Sequence, residues 1–252
     1  MTDILLTKGN ATLQVQSIYQ DPQYVRSYDA GHYGGDFGNY IHDQEVETFS
    51  SLVTSGTRLL DLGSGTGKLA LALAGEFDTV VCADSSFEML SVLKRKALEE
   101  GIDVACVLTD AQQLCFRRDA FDSLVSSRVL MHLEDWRLGV SELSRVTREV
   151  VLDFPPLLSF AGLSLILRGA IARLGVISRE PRAISLTGIR LELERHDRVA
   201  NEWRKAYFFP ISLHRRLNRS AVTRRIEEPF RRLGITRLFG APVTLRASDG
   251  SE

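Results

Sequence analysis

Residues 59–67 read LLDLGSGTG, an apolar run that ends in three glycines spaced two apart. Glycine adopts left-handed backbone angles at no steric cost and lets another group approach the main chain closely. The apolar run Arg58–Leu62 reads as a strand and Thr66–Glu76 as a helix, so the glycines mark a tight strand-to-helix turn. One such unit cannot bury both of its faces alone, and the rest of the chain supplies the partners.

The pattern then repeats. Thr79–Ala83 reads as strand and Ser85–Glu100 as helix, opened by a Ser85/Glu88 capping box and closed by Gly101. Val104–Thr109 and Phe121–Ser126 read as strands, Asp135–Ser144 as helix and Glu149–Phe154 as strand. Upstream, Asp43 is the expected cap of a helix burying Val46, Phe49 and Val53 and ended by Gly56. The first 42 residues, with Tyr19, Tyr24, Tyr28, Tyr33 and Tyr40, are expected to be a loop or short-helix lead-in. Past Pro156, an apolar helix is expected over Leu157–Leu174 and a helix or strand over Thr187–His196. A strand over Val199–Phe209, a basic helix over Ser220–Leu233 kinked near Pro229, and a last strand over Pro242–Arg246 complete the reading. Repeated β-α units, with runs such as TVVCA apolar on both faces, predict a doubly wound, mostly parallel sheet with right-handed crossovers.

The 252 residues suffice for one large domain. A net charge of −1 gives no sign of a nucleic-acid partner. The average conceals a division. Residues 1–150 carry 13 Lys and Arg against 22 Asp and Glu, whereas residues 151–252 carry 18 against 10. The basic half either decorates solvated helices or faces an anionic partner. Three cysteines without close Cys/His spacing argue against a disulfide framework or a metal site. The start MTDILLTKGN lacks a signal-peptide pattern, and the stretch 154–177 is interrupted by prolines and arginines before it reaches the ~20 residues of a spanning helix. A cytoplasmic protein is expected.

The chemistry concentrates at the strand ends. Gly63, Ser64, Gly65 and Gly67 form the loop, and the helix that follows favours negative charge at its N-terminus. A dinucleotide fingerprint requires a sixth-position glycine counted from Gly63, and Lys68 stands there. Asp61, just before the loop, suits a ligand that carries an ammonium group. Asp84 ends the next strand 21 residues after Gly63, placed to accept from ribose hydroxyls. Ser85 beside it is the expected helix cap. Met89, one turn on, is either a core methionine or a surface for a base. Asp110 and Ala111 end the following strand, where a carboxylate can accept from an exocyclic amine. Successive strand ends of an open α/β sheet converge on one crevice.

The segments LLDLGSGTG, VVCADSSFEML and LTDAQQLCFRRDAFDSLVSSRVLMHLED resemble the successive motifs of class I S-adenosylmethionine-dependent methyltransferases. The similarity is to the group that includes ubiquinone, menaquinone and natural-product methyltransferases, over about residues 20–155. It implies a seven-stranded sheet with a helical cap inserted after the fifth strand. It also implies S-adenosylmethionine, later S-adenosylhomocysteine, at Asp61, Gly63, Gly65, Asp84, Met89, Asp110, Ala111 and Ser127. Residues 1–55 would be a lid and lead-in helix, 56–156 the cofactor half and 157–252 the basic acceptor-side half of a single domain. Tyr24, Tyr28 and Tyr33 are the candidates for a lid over the cofactor, with Tyr28 counted among the cofactor-binding residues. Two departures stand out: Val146-Thr147-Arg148 where the family often has Pro-Gly-Gly, and Cys115-Phe116 where it often has Pro-Phe. Asp153-Phe154-Pro155-Pro156 resembles the motif of amino-methylating nucleic-acid enzymes, but it follows the fifth strand rather than the fourth, so that reading is rejected.

His132 is the candidate general base, its alternative being a structural hydrogen bond at a helix entry. The expected acceptor is an amphipathic, anionic or lipid-like small molecule methylated at oxygen or carbon, with peripheral contact at a membrane surface. The alternatives are a non-catalytic S-adenosylmethionine-binding subunit and, less favoured, an NAD-dependent oxidoreductase.

Overall fold

A computed structural model describes residues 18–54, 56–160, 162–163 and 183–250. Seven strands form one sheet: β1 (Gly56–Leu62), β2 (Phe77–Asp84), β3 (Ala105–Leu108), β4 (Phe121–Ser126), β5 (Thr147–Phe154), β6 (Arg198–Tyr207) and β7 (Ala241–Asp249). Their order is β3-β2-β1-β4-β5-β7-β6. The first five are parallel, and β7 inserts antiparallel between β5 and β6. The chain moves outward from β1 to β3, then returns to the other side of β1 as β4. That reversal opens a crevice at the carboxyl ends of β1 and β4, where such sheets take ligands.

The central strands are apolar on both faces because helices cover both. In β1, Leu60 and Leu62 join the core on one face and Leu59 the other. Leu124 and Val125 divide in the same way in β4, as do Val150 and Val151 in β5. The covering helices are α1 (Pro22–Tyr33), α2 (Gly35–Leu52), α3 (Lys68–Leu73), α4 (Phe87–Glu100), α5 (Trp136–Val146), α6 (Leu186–Glu194), α7 (Ile211–Leu217), α8 (Ser220–Arg232) and α9 (Ile235–Phe239).

Several expectations need correction. The lead-in, open between loop and short helix, resolves to helix: α1 and the first turns of α2, with Asp21 capping α1 and Pro22 in its first turn. Asp43 lies inside α2, which begins eight residues earlier at Gly35, and Gly56 starts β1 instead of closing a helix. The cap of α4 is Ser86, whose Oγ accepts from Met89 N–H at 3.1 Å, and not Ser85. The open choice at Thr187–His196 resolves to helix: Ile189 and Leu193 are fully buried while Leu191 is 54% exposed. A strand would have put all three on one face. Pro229 lies in the last turn of α8. Most of the expected helix over 157–174 falls outside the described residues, and no described helix is long and apolar enough to cross a membrane.

Arg198 fixes the edge strand. Its guanidinium donates to the Ser144 and Thr147 carbonyls, both at distances under 3 Å, and to Asp249. Arg198→Met is expected to lower stability by about 2 kcal/mol in urea unfolding, because two buried carbonyls lose their donor. An unchanged midpoint would refute this.

Candidate cofactor cleft

A cleft of about 440 Å³ lies over the carboxyl ends of β1 to β4. It is lined by Tyr28, Asp61, Gly63, Ser64, Gly65, Asp84, Ser85, Met89, Asp110, Ala111, Ser127 and His132, twelve of the thirteen residues singled out from the sequence. Gly67 does not line it. That residue, at φ +83°, starts α3, and a Cβ there would press on Leu93 at 2.6 Å.

The glycine loop is a fixed turn. Gly63 (φ +73°) and Ser64 donate their N–H groups to the Ala83 carbonyl at 2.7 and 3.1 Å, tying β1 to β2. A Cβ on Gly63 would overlap Val129 Cγ2, whereas one on Gly65 (φ +52°) would meet open space. Gly65 donates to Asp84 Oδ2 at 2.8 Å, and Ser86 donates to Asp84 Oδ1 at 2.9 Å. Each oxygen of Asp84 thus takes one amide and keeps acceptor capacity. Burial still holds this carboxyl above the usual carboxylate range.

Asp61 is 2% exposed, and its Oδ2 has no hydrogen-bond partner among the described residues. Burial, then the nearby Asp84, push it up to about 8. A buried acceptor without a donor is costly. At a cleft wall it suits a cationic donor on a ligand. Asp110 accepts from Gln112 N–H at 2.8 Å at the β3 end.

Helix α1 closes one side. Asp29 accepts from Thr66 Oγ1 at 2.6 Å and from Lys96, pinning α1 to the glycine loop and α4. Tyr28 stacks on His32 with centroids 4.1 Å apart, and Tyr19 packs edge-on against Tyr28 and His132. Of the three lid candidates, Tyr28 and Tyr33 line the cleft and Tyr24 does not, while Tyr19 was not expected there. Burial and the Arg128 guanidinium hold His132 down at about 4, so its imidazole is neutral at pH 7.

The sequence reading missed a buried polar network beside the cleft. Glu45 of α2 accepts from Ser127 Oγ and, at 3.2 Å, from Arg128 Nη2. Arg128 (φ +59°) donates its N–H to Asp153 at 2.5 Å and its side chain to Tyr33. Burial pushes Glu45 up to about 8, with Asp153 adding to it, and burial pushes Asp153 up to about 6.

Comparison with known proteins identifies the family. Residues 60–150 match a family model described as a methyltransferase domain. Demethylmenaquinone methyltransferase of Thermus thermophilus is 39% identical over 105 residues, which is 39% of this chain and 48% of that protein. The enzyme of the same name from Clavibacter sepedonicus is 31% identical over 176 residues, covering 67% of this chain and 71% of the relative. The chain belongs to the class I S-adenosylmethionine-dependent methyltransferases. It spans about half the length of the Thermus relative. Among solved methyltransferases, magnesium protoporphyrin IX methyltransferase from Synechocystis PCC 6803, with bound S-adenosylhomocysteine, superposes with a TM-score of 0.66. The two are 17% identical, over 95% of this chain and 100% of that one, a likeness of fold.

Proposed function

We propose that this chain transfers the methyl group of S-adenosylmethionine to oxygen or carbon of a small, amphipathic acceptor. The observation that carries the reading is Asp61: a buried carboxylate oxygen without a partner, in the wall of a cleft built on a glycine turn. The cofactor's methionine end has the ammonium that this oxygen lacks. Bound S-adenosylmethionine supplies an electrophilic methyl on a sulfonium.

The chain's own groups then divide the work. Asp61 pairs with the ammonium, Asp84 accepts from the ribose hydroxyls and Asp110 from the adenine amine. Met89 and Ala111 pack on the base, while Gly63, Ser64, Gly65 and Ser127 shape the methionine end. Gly67 acts indirectly, by setting the start of α3, and Ser85 lines the cleft beside Asp84. Tyr28, with the described part of the lead-in, residues 18–54, covers the cleft and keeps water out. A methyl transfer of this kind needs chiefly alignment and a dry pocket. His132 offers a neutral imidazole to an acceptor proton, though one of low basicity. The described part of 157–252 faces the acceptor, and the basic character of this half of the sequence favours an amphipathic or anionic molecule. The names of the Thermus and Clavibacter relatives are compatible with a quinone-like ring.

Calorimetry with S-adenosylhomocysteine and with NAD tests the site, and label transfer from methyl-tritiated S-adenosylmethionine into a cell extract tests the activity. Binding of S-adenosylhomocysteine alone, followed by a labelled small molecule, is expected. Binding without any labelled product would leave the non-catalytic subunit, and preference for NAD would overturn the site.

Affinity should also depend on pH. Free Asp61 holds its proton to about pH 8, and an ammonium partner draws it back to the carboxylate form. Binding therefore releases a proton. The dissociation constant for S-adenosylhomocysteine is expected to fall from pH 6 to 8, by up to about tenfold per unit. The binding heat should vary with the buffer's ionisation enthalpy, and a flat profile would count against the pairing.

A further inference from the structure

A second cavity of about 220 Å³ adjoins the cofactor cleft, between α2 and the β6–β7 edge. Ile41, Glu45, Arg128 and Ile211 line both, so the two share a wall at these residues. That wall lies over the ends of β4 and β5, on the side away from Asp84 and Asp110. On the reading of the first cleft given above, that is the side of the methionine end of the cofactor. The second cavity has room for about one ring and its substituents.

Its walls are of two kinds. Phe49, Ala206, Ile211 and Pro242 give an apolar surface. Arg204 and Arg231 also line it, and neither is committed to a buried partner. Arg204 bonds to Glu202 through Nε and Nη2 at 3.1 and 3.0 Å and to the exposed Ser51 Oγ through Nη1 at 2.7 Å, Arg231 meets Glu228 at 4.0 Å, and the four charged side chains are 42–55% exposed. Exposed pairs of this kind are worth about 0–1 kcal/mol and yield to a better anion. Lys205 is different, since its ammonium is used on the Leu238 carbonyl at 2.5 Å. Tyr207 is 4% exposed and lines the same cavity, yet its hydroxyl has no hydrogen-bond partner among the described residues. A buried phenol without a partner costs free energy unless something fills the role. Of the two acids at the floor, Glu45 is paired with the Arg128 guanidinium and Asp153 accepts the Arg128 main-chain N–H.

We propose that this second cavity binds the carboxylate of a one-ring acceptor, with Arg204 and Arg231 as its counter-charges and the Tyr207 hydroxyl as a donor. The ring lies on the apolar wall and its nucleophilic substituent points toward the cofactor cleft, at the wall of Ile41, Glu45, Arg128 and Ile211 that the two cavities share. The proposal narrows the acceptor of the preceding section to an aromatic acid and rests on that placement of the cofactor.

The probe pair 4-hydroxybenzoate and 4-hydroxybenzamide, which share the ring and hydroxyl but differ in charge, tests it. Titrations would be made into the full chain with and without saturating S-adenosylhomocysteine. The acid is expected to bind about tenfold or more tighter than the amide. Arg204→Met and Arg231→Met should each remove most of that preference while leaving S-adenosylhomocysteine affinity unchanged. Tyr207→Phe removes only an oxygen without a partner, so the fold is retained, and it should weaken the acid several-fold. Equal binding of acid and amide, no binding of the acid in the millimolar range, or arginine variants that bind the acid as before would overturn the proposal. If S-adenosylhomocysteine fails to bind while the acid still binds through the arginines, the cofactor reading falls and the anion site remains.

Discussion

Asp61→Asn is expected to weaken S-adenosylhomocysteine binding by about 30- to 300-fold at pH 7.5 while raising the melting temperature of the ligand-free protein. The two effects have one origin. The Asp61 side chain is buried with one oxygen unpartnered, and burial with the neighbouring Asp84 pushes it up to about 8. In the unfolded chain the same carboxyl titrates near 4. Between those values the folded state binds more protons than the unfolded state, so stability falls as pH rises through that window. At pH 7.5 the free protein bears a penalty of a few kcal/mol for this one group. Asparagine is neutral and removes that slope, so a rise of several degrees is expected, most visible at pH 7–8 and absent near pH 4. In the complex the balance reverses. A buried carboxylate facing an ammonium makes a charge-assisted hydrogen bond, and removing one partner of such a pair costs about 2–5 kcal/mol. The retained amide oxygen keeps the loss toward the lower part of that range. Calorimetry and thermal melts from pH 4 to 8 report both quantities. Unchanged affinity would remove Asp61 from the site, and a lower melting temperature at pH 7.5 would show that its carboxylate is satisfied in the free protein.

The strand ends were legible because each is a local pattern. An apolar run, a glycine or carboxylate and a helix start lie within ten residues of one another, as at Leu59–Gly67 and Val80–Met89. What failed locally failed by a short register. Ser85 and Ser86 are both capable caps, and the choice fell to Ser86 because its Oγ also donates to the Tyr19 carbonyl at 2.5 Å. Asp43 has the right chemistry for a cap, but the helix begins at Gly35, whose neighbour Asp36 accepts from Ser220 N–H 184 residues away. No window of sequence contains that contact. The same holds for the groups around the cleft that were missed. Asp29 bonds to Thr66 and Lys96, and Glu45 bonds to Ser127 and Arg128 across more than 80 residues. On its own helix Glu45 looks like one more charge on a solvated face. Only the packing of α2 over the β4 and β5 ends buries it, and only then does it become part of the wall that the two cavities share.

The glycine turn supplies the other large effect, and its three glycines are not equivalent. Gly63→Ala is expected to lower stability by about 3 kcal/mol or more and to abolish measurable S-adenosylhomocysteine binding. Two costs add there. An alanine at φ +73° pays about 1 kcal/mol for the left-handed backbone, and its methyl would occupy the position of Val129 Cγ2. Relief requires the Val129 side chain to move, which shifts the segment between β4 and the turn at Leu130–His132, or requires Gly63 to withdraw from the Ala83 carbonyl. Gly63→Ala with Val129→Ala should regain the steric part but not the backbone part, leaving about 1 kcal/mol of loss beyond that of Val129→Ala alone. Gly65→Ala is the control. Its φ of +52° carries a similar backbone cost, yet its methyl meets no protein atom within 4 Å and enters the cleft. That variant should stay within about 1–2 kcal/mol of the parent in urea unfolding while losing ligand affinity, since the methyl occupies space assigned to the ligand. The pair separates two reasons for a glycine: at 63 the protein itself needs the room, and at 65 the ligand does. Equal destabilisation by the two substitutions, or full ligand binding by Gly65→Ala, would show that the cleft is not filled at this turn.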